Sequence, residues 1–303
     1  MGLFSIFKKS TDKENHDNKE MLLGMVLLSE PNSMKISGVV DDLRNKWKLK
    51  VDDKESSNES SVLTIGEYQV AIGNMPIAIP GNEIEETASF NYYWDNGKTE
   101  AGKHKGHIIV SIINGGTNPI KENLLFNKVI SSVLDNSKSI GVYIGSRTLL
   151  LSKDFYQGNL ENISETNLPI NNLIYFGIRK ENNKNSVYTY GLKDFRKKEM
   201  EIIESKHGID ELLEMMYNLT SYVLESNVIL NDGETIGMSE KQKLRIKLSK
   251  GKYLDEQTLK IDYWPKKTYA QHGFVASGAD VSNWTSVILL YFCFGWRKPN
   301  EYW

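Results

Sequence analysis

The run His107-Ile108-Ile109-Val110-Ser111-Ile112-Ile113, closed by Asn114-Gly115-Gly116, constrains the fold more than any other stretch. Five of its seven residues are Ile or Val, the pattern of a strand covered on both faces. Asn-Gly-Gly is a strong stop. The strand closes a first half of the chain and hands it to a second half of similar pattern.

Read forward, the first half opens with a hydrophobic strand, Met21 to Leu28, stopped by Glu30-Pro31-Asn32. Ser33 is the expected N-cap of a helix with Ile36, Val40, Leu43 and Trp47 on one face. Asp52 to Ser61 reads as a polar loop. Val62 to Ile65 and Tyr68 to Ile72 form a hairpin across Gly66-Glu67. Asn82 and Glu85 resemble a capping box, opening a helix that runs to about Trp94.

The second half begins at Asn118-Pro119, where Pro suits the first turn of a helix. Ile140 to Gly145 is a short strand. Leu173 to Arg179, Val187 to Leu192 and Met200 to Ile203 read as strands. Gly208 to Ser226 has a clear helical stripe of Leu212, Met216, Leu219 and Val223. Residues 243–248 and 258–263 read as a closing strand pair. Each half therefore reads as strand, helix, strands, helix, strand. The expected fold is α+β, with two ferredoxin-like (split β-α-β) halves, residues 21–116 and 117–263, forming one compact unit. Residues 1–20 read as a flexible leader and residues 264–303 as an aromatic-rich tail. Residues 1–9 and the tail are the places where a weak surface contact is expected.

The formal net charge of -2 gives no global attraction to nucleic acid or anionic lipid. Cys293 is the sole cysteine, so no disulfide forms within the chain, which fits a reducing cytoplasm. No apolar run reaches the roughly 18–20 residues that span a bilayer.

Three stretches invite a site. His104 and His107 are spaced wrongly for a metal on a strand, because residues three apart point to opposite faces. No metal or other cofactor is expected, and His107 reads as a hydrogen-bonded structural residue, with a ligand or partner contact as the alternative. Asp232-Gly233-Glu234-Thr235-Ile236-Gly237 is too short for an EF-hand loop and lacks a phosphate-loop ending. It reads as a turn in which Asp232, Glu234 and Thr235 are available to a ligand or partner. Lys241, Lys243, Arg245 and Lys247 recur every second residue, placing cations on one strand face. The choice is between an anion-binding stripe and an edge strand protected by charge. No interleaved aromatics on that face support nucleic acid. No Gly-x-Ser-x-Gly elbow is present, so catalytic residues are not identified.

Several short motifs together resemble a known bacterial family. They are Met75-Pro76-Ile77-Ala78-Ile79-Pro80, Tyr92-Tyr93-Trp94, Lys105 to Ser111, Gly141-Val142-Tyr143, Tyr188-Thr189-Tyr190-Gly191-Leu192, Asn218 to Leu224, and Asp232 to Gly237. The family is domain of unknown function 4261, and the resemblance runs from about Met21 to Tyr263. It implies no established activity. The function expected is a cytoplasmic binding or protein-interaction module, such as an immunity-type or escort protein. The alternative is a small-molecule enzyme or sensor using a crevice between the two halves.

Overall fold

The computed structural model describes residues 21–239, 242–263 and 275–276. The contacts expected of residues 1–9, and of the tail apart from 275–276, lie outside the described residues. Up to the middle of the chain the elements are β1 (Leu22–Leu28), α1 (Ile36–Asn45), β2 (Val51–Ser56), β3 (Ser60–Ile65), β4 (Tyr68–Met75), α2 (Glu83–Ala88), α3 (Gly97–Ala101), β5 (Gly106–Ile112) and α4 (Pro119–Asp135). Then come β6 (Ser139–Ile144), β7 (Leu149–Ser152), α5 (Lys153–Gly158), α6 (Ile170–Leu173), β8 (Tyr175–Glu181) and β9 (Lys184–Tyr190). The remainder holds β10 (Met200–Ser205), α7 (Ile209–Glu225), β11 (Thr235–Ser239), β12 (Gln242–Lys250), β13 (Gln257–Asp262) and β14 (Val275–Ala276).

Helices and strands are mixed, so the α+β class holds. The strand order differs from two split β-α-β halves. The first sheet runs β2-β3-β4-β5-β1-β6-β7. A split β-α-β unit would place β1 beside β4, but β5 lies between them and pairs antiparallel with both. The free edge of β1 is taken by β6, which lies beyond the Gly116 boundary expected between halves. The second sheet runs β14-β11-β12-β13-β10-β9-β8, and its β10–β13 pair is parallel. By contact the chain forms two units. One holds residues up to Phe176 with Thr189–Lys197 and Tyr217–Val228; the other holds Gly177–Tyr188, Lys198–Met216 and the described residues from Ile229 on.

Local chemistry explains the elements that periodicity located well. Gly66 has φ +62°, which lets two residues join β3 to β4. Asn118 accepts from the amides of Ile120 and Lys121 through Oδ1, capping α4, and Pro119 sits where no helical amide is needed. Other expectations shift. Asp52 to Ser61 is not wholly loop, because β2 pairs with β3. Lys35, not Ser33, precedes α1, while the Ser33 hydroxyl donates to the Glu30 carbonyl. Asn82 makes no side-chain cap, and α2 stops at Ala88 rather than near Trp94.

The first sheet has two unlike faces. On one, α1 and α4 cover Val26, Val70, Ile72, Ile108, Val110 and Ile112. On the other, α2 and α3 pack at the β6–β7 end, around Leu27, Trp94, Tyr143 and Leu150. Towards β3 and β4 that second face opens: Ile109 is only half-buried, and Val62, Met75 and Ile113 are exposed. The expectation that the central strand is covered on both faces therefore holds for its even-numbered residues and fails at Ile109 and Ile113.

Candidate functional site: a lysine-rimmed cleft

The loop after β5 builds one wall of a cleft in the first unit. Asn114 Oδ1 accepts from the Gln69 amide at 2.6 Å, and its Nδ2 donates to the Glu67 carbonyl at 2.8 Å. This clamps the Asn-Gly-Gly stop to the β3–β4 turn. Buried Glu122 accepts from the amides of Gly116 and Thr117, holding the start of α4 against the same loop. The turn, the first turns of α4 and the α1–β2 connection are thus fixed around one concavity.

The cleft holds about 460 Å³, a volume ordinary for small-ligand sites. Ile65, Leu124 and Leu125 form its buried floor, joined by half-buried Leu49. Lys48, Lys50, Lys121 and Lys128 rim it, against two carboxylates, Glu67 and Glu165. Lys121 lies 4.0 Å from Glu165, a loose surface pair of small energetic weight. Lys48 is held with φ +55°, a left-handed conformation uncommon for a side chain of this kind. Lys128 is half-buried, and burial lowers its pKa. Its ammonium stands 5.8 Å from the centre of the Trp47 ring, and that of Lys46 at 5.1 Å.

Tyr68 closes the site. Only 9% of it is exposed, and its hydroxyl is buried beside Glu67 and Thr117. Burial raises its pKa, and the charges of Glu67 and Glu122 raise it further, so the phenol stays protonated. The arrangement can hold an acid with an apolar body: ammonium groups for the charge and an aliphatic floor for the rest.

A second concavity in this unit, of about 470 Å³, is lined by Trp94, Glu100, Lys103, Lys153 and Asp154 among others. Two of its polar groups are already engaged. Trp94 Nε1 donates to Glu100 at 2.7 Å, and Lys153 Nζ donates to the Leu134 carbonyl at 2.6 Å.

The residues singled out in the sequence lie elsewhere. His107 is buried in β5, and its Nδ1 lies 2.9 Å from the Ile77 carbonyl; burial lowers its pKa. His104 accepts from the Ile79 amide through Nε2 at 2.8 Å, so its Nδ1–H donates to the Ala101 carbonyl at 2.7 Å. The two histidines secure the Ile77–Ile79 segment, and no group of three or more metal-ligating side chains occurs among the described residues.

The other six lie together on the β11–β12 hairpin. Asp232 accepts from the Leu248 amide at 2.7 Å, and Glu234 accepts from the amide and side chain of Asn231. Gly233 has φ +81°, as such a turn requires. Thr235 is paired with Arg245, and Gly237 with Lys243. Lys243, Arg245 and Lys247 share one exposed face, as their spacing predicts. However, β12 is not an edge: β11 and β13 flank it. Arg245 faces Asp262 on β13, and Lys247 faces Lys260. Lys241 lies outside the described residues. The cleft lysines passed unnoticed because each looks like an ordinary solvated lysine. The one available signal was Lys121 and Lys128, seven residues apart on one helix face with Leu124 and Leu125 between them.

Residues 188–262 match the family described as domain of unknown function (DUF4261). The motifs at Tyr188–Leu192, Asn218–Leu224 and Asp232–Gly237 fall inside the matched segment, and those before Tyr188 fall outside it, as does the cleft. No curated protein and no solved structure matches the chain.

Proposed function

For a chain that carries this domain of unknown function over residues 188–262, we propose a non-catalytic binding role in which the Lys48–Lys128 cleft takes an acidic segment of a partner protein. The observation that carries this reading is the rim of four lysines around an apolar floor. An immunity-type or escort role in the cytoplasm is the form it takes: the chain covers an acidic surface of another protein. Displaced carboxylates elsewhere favour binding over catalysis, because they are occupied internally. Glu201 is held by Lys260, Thr258 and two amides, and Glu211 by Tyr263 and His207.

The test is fluorescence anisotropy with a labelled oligoglutamate peptide. The wild-type protein should bind it with an affinity that falls as salt rises. The Lys50→Glu/Lys121→Glu variant should bind at least about tenfold more weakly, a loss of about 1.4 kcal/mol. Both residues are exposed, so the variant should melt like the wild type. Equal titrations would sink the reading. A free aromatic carboxylate in the same assay separates a small-acid sensor from a peptide binder, since the cleft volume suits either.

A further inference from the structure

Lys128 stands apart from the cations around it. Lys46, its neighbour at the Trp47 ring, is neutralised by Asp135 at 2.8 Å and donates to the Ser131 hydroxyl at 3.3 Å. Lys121 lies 4.0 Å from Glu165. Lys128 has no carboxylate and no hydrogen-bond acceptor against its amine among the described residues. It lies one turn beyond Leu124 and Leu125 on α4, which places its half-buried stem beside the apolar floor of the cleft. Burial alone disfavours its charged form. Burial lowers the pKa of Lys197 as well, but that amine donates to Asn227 Oδ1 at 2.8 Å and does not line the cleft.

We propose that Lys128 is a nucleophilic amine, through which the cleft captures, as an imine, a small carbonyl compound that carries an acid group. The Nζ lone pair attacks the carbonyl carbon and a C–N bond forms. Both protons of the neutral amine leave with the carbonyl oxygen as water, so amine and carbonyl give imine and water with no oxidant or reductant. A lysine is nucleophilic only when neutral, and an ordinary one holds less than about 0.1% of that form at neutral pH. Withdrawal from water, with no counter-charge to hold the proton, raises that fraction at Lys128. The helix carrying it is capped by Asn118, so the amine is presented from a fixed element. Lys48, Lys50 and Lys121 supply positive charge for the acid group, and Ile65, Leu124 and Leu125 meet the apolar body. That an acid is selected rests on the role of the rim proposed above; the nucleophile is independent of it.

The test incubates the full chain at neutral pH with para-formylbenzoate, traps imines with cyanoborohydride and quantifies each labelled lysine by peptide mass spectrometry. Lys128 should be labelled at least about tenfold faster than exposed lysines such as Lys103. The uncharged para-formylbenzamide should lose most of that preference. Lys128→Arg keeps the cation, so it should lose the label and still bind oligoglutamate. Should that variant melt early, the wild-type map decides alone. Label spread evenly over the exposed lysines overturns the proposal, even where oligoglutamate binds. Equal preference for Lys128 with both aldehydes overturns the acid-bearing ligand. Acid-dependent labelling of Lys128 in a protein that ignores oligoglutamate supports the imine site and sinks the peptide reading alone.

Discussion

The two sheets place strand alternation at the service of opposite surfaces. In the second sheet, Leu244, Ile246, Leu259 and Ile261 turn to a buried side, and Lys243, Arg245, Lys247 and Asp262 turn outwards. In the first sheet, the buried side is equally apolar, but the opposite side mixes Val62, Met75 and Ile113 with Ser60, Thr64 and Gln69 and carries no Asp, Glu, Lys or Arg across four strands. The second sheet covers a carboxylate that it buries: the loop after β12 folds over Glu201 and donates the amides of Lys252 and Tyr253 to it. The first sheet leaves its open side uncovered among the described residues. The comparison teaches that a period of two assigns residues to faces, while the chemistry of the outward residues says whether the face meets water or a partner.

Four measurements would break or sharpen this contrast, beginning with the largest expected effect. Glu201 is fully buried and ion-paired to Lys260. Its removal in Glu201→Ala should cost about 3–5 kcal/mol, because it leaves Lys260 without its counter-charge and two amides without an acceptor. Urea unfolding at neutral pH measures this, and a loss under about 1 kcal/mol would show that the loop re-pairs these groups. The same carboxylate sets a pH dependence. Burial pushes its pKa up, but Lys260, the two amides and the Thr258 hydroxyl outweigh burial and hold it below the ordinary value. The group's stabilisation is therefore full above the unfolded value of about 4.3 and is lost as pH falls through the lower folded value. Glu201→Gln should flatten that part of the acid unfolding curve.

The second measurement compares neighbours on one strand. Ile108 is fully buried, while Ile109 is half-buried on the uncharged side. Ile108→Ala should cost about 2–5 kcal/mol, and Ile109→Ala about 1 kcal/mol in dilute protein. Equal losses in urea melts would mean that both faces of β5 are core. Third, Asn118→Ala removes the α4 cap beside the cleft and should cost about 1 kcal/mol. An unchanged urea midpoint would show that solvent replaces the cap. Last and smallest, Lys247→Glu on the charged face should shift stability by less than about 0.5 kcal/mol. A larger destabilisation would show that this face is not simply solvated.

How far the sequence could be read follows from which links are local. The β3–β4 hairpin, the capped start of α4, the stripe of α7 and the β12–β13 pair depend on residues near one another in the chain, and periodicity located them. The central place of the Ile-rich strand was also legible. Its neighbours were not, because β6 pairs with β1 across more than a hundred residues and no local pattern records that choice. The parallel β10–β13 pair was hidden for the same reason. The cleft is assembled from Lys48 and Lys50 after α1, Tyr68 after a hairpin turn and Lys128 within α4. Each segment alone reads as amphipathic surface. Strand spacing does not apply to His104 and His107, because His104 lies before β5 and both rings hold the Ile77–Ile79 segment.

The position of β1 between β5 and β6 sets a schedule for synthesis. Leu28 lies opposite Gly106, so roughly 80 residues must follow before β1 meets its first partner. At the usual elongation rate of about 5–20 residues per second, that leaves β1 waiting about 4–16 s on the ribosome. Its second edge waits longer still, until β6 has emerged. The hairpin of β3 and β4 forms within that interval and has no sheet to join. Nascent chains of this protein therefore pass through a stage in which an apolar strand and an unattached hairpin are both displayed, and that stage is where a folding helper would engage them.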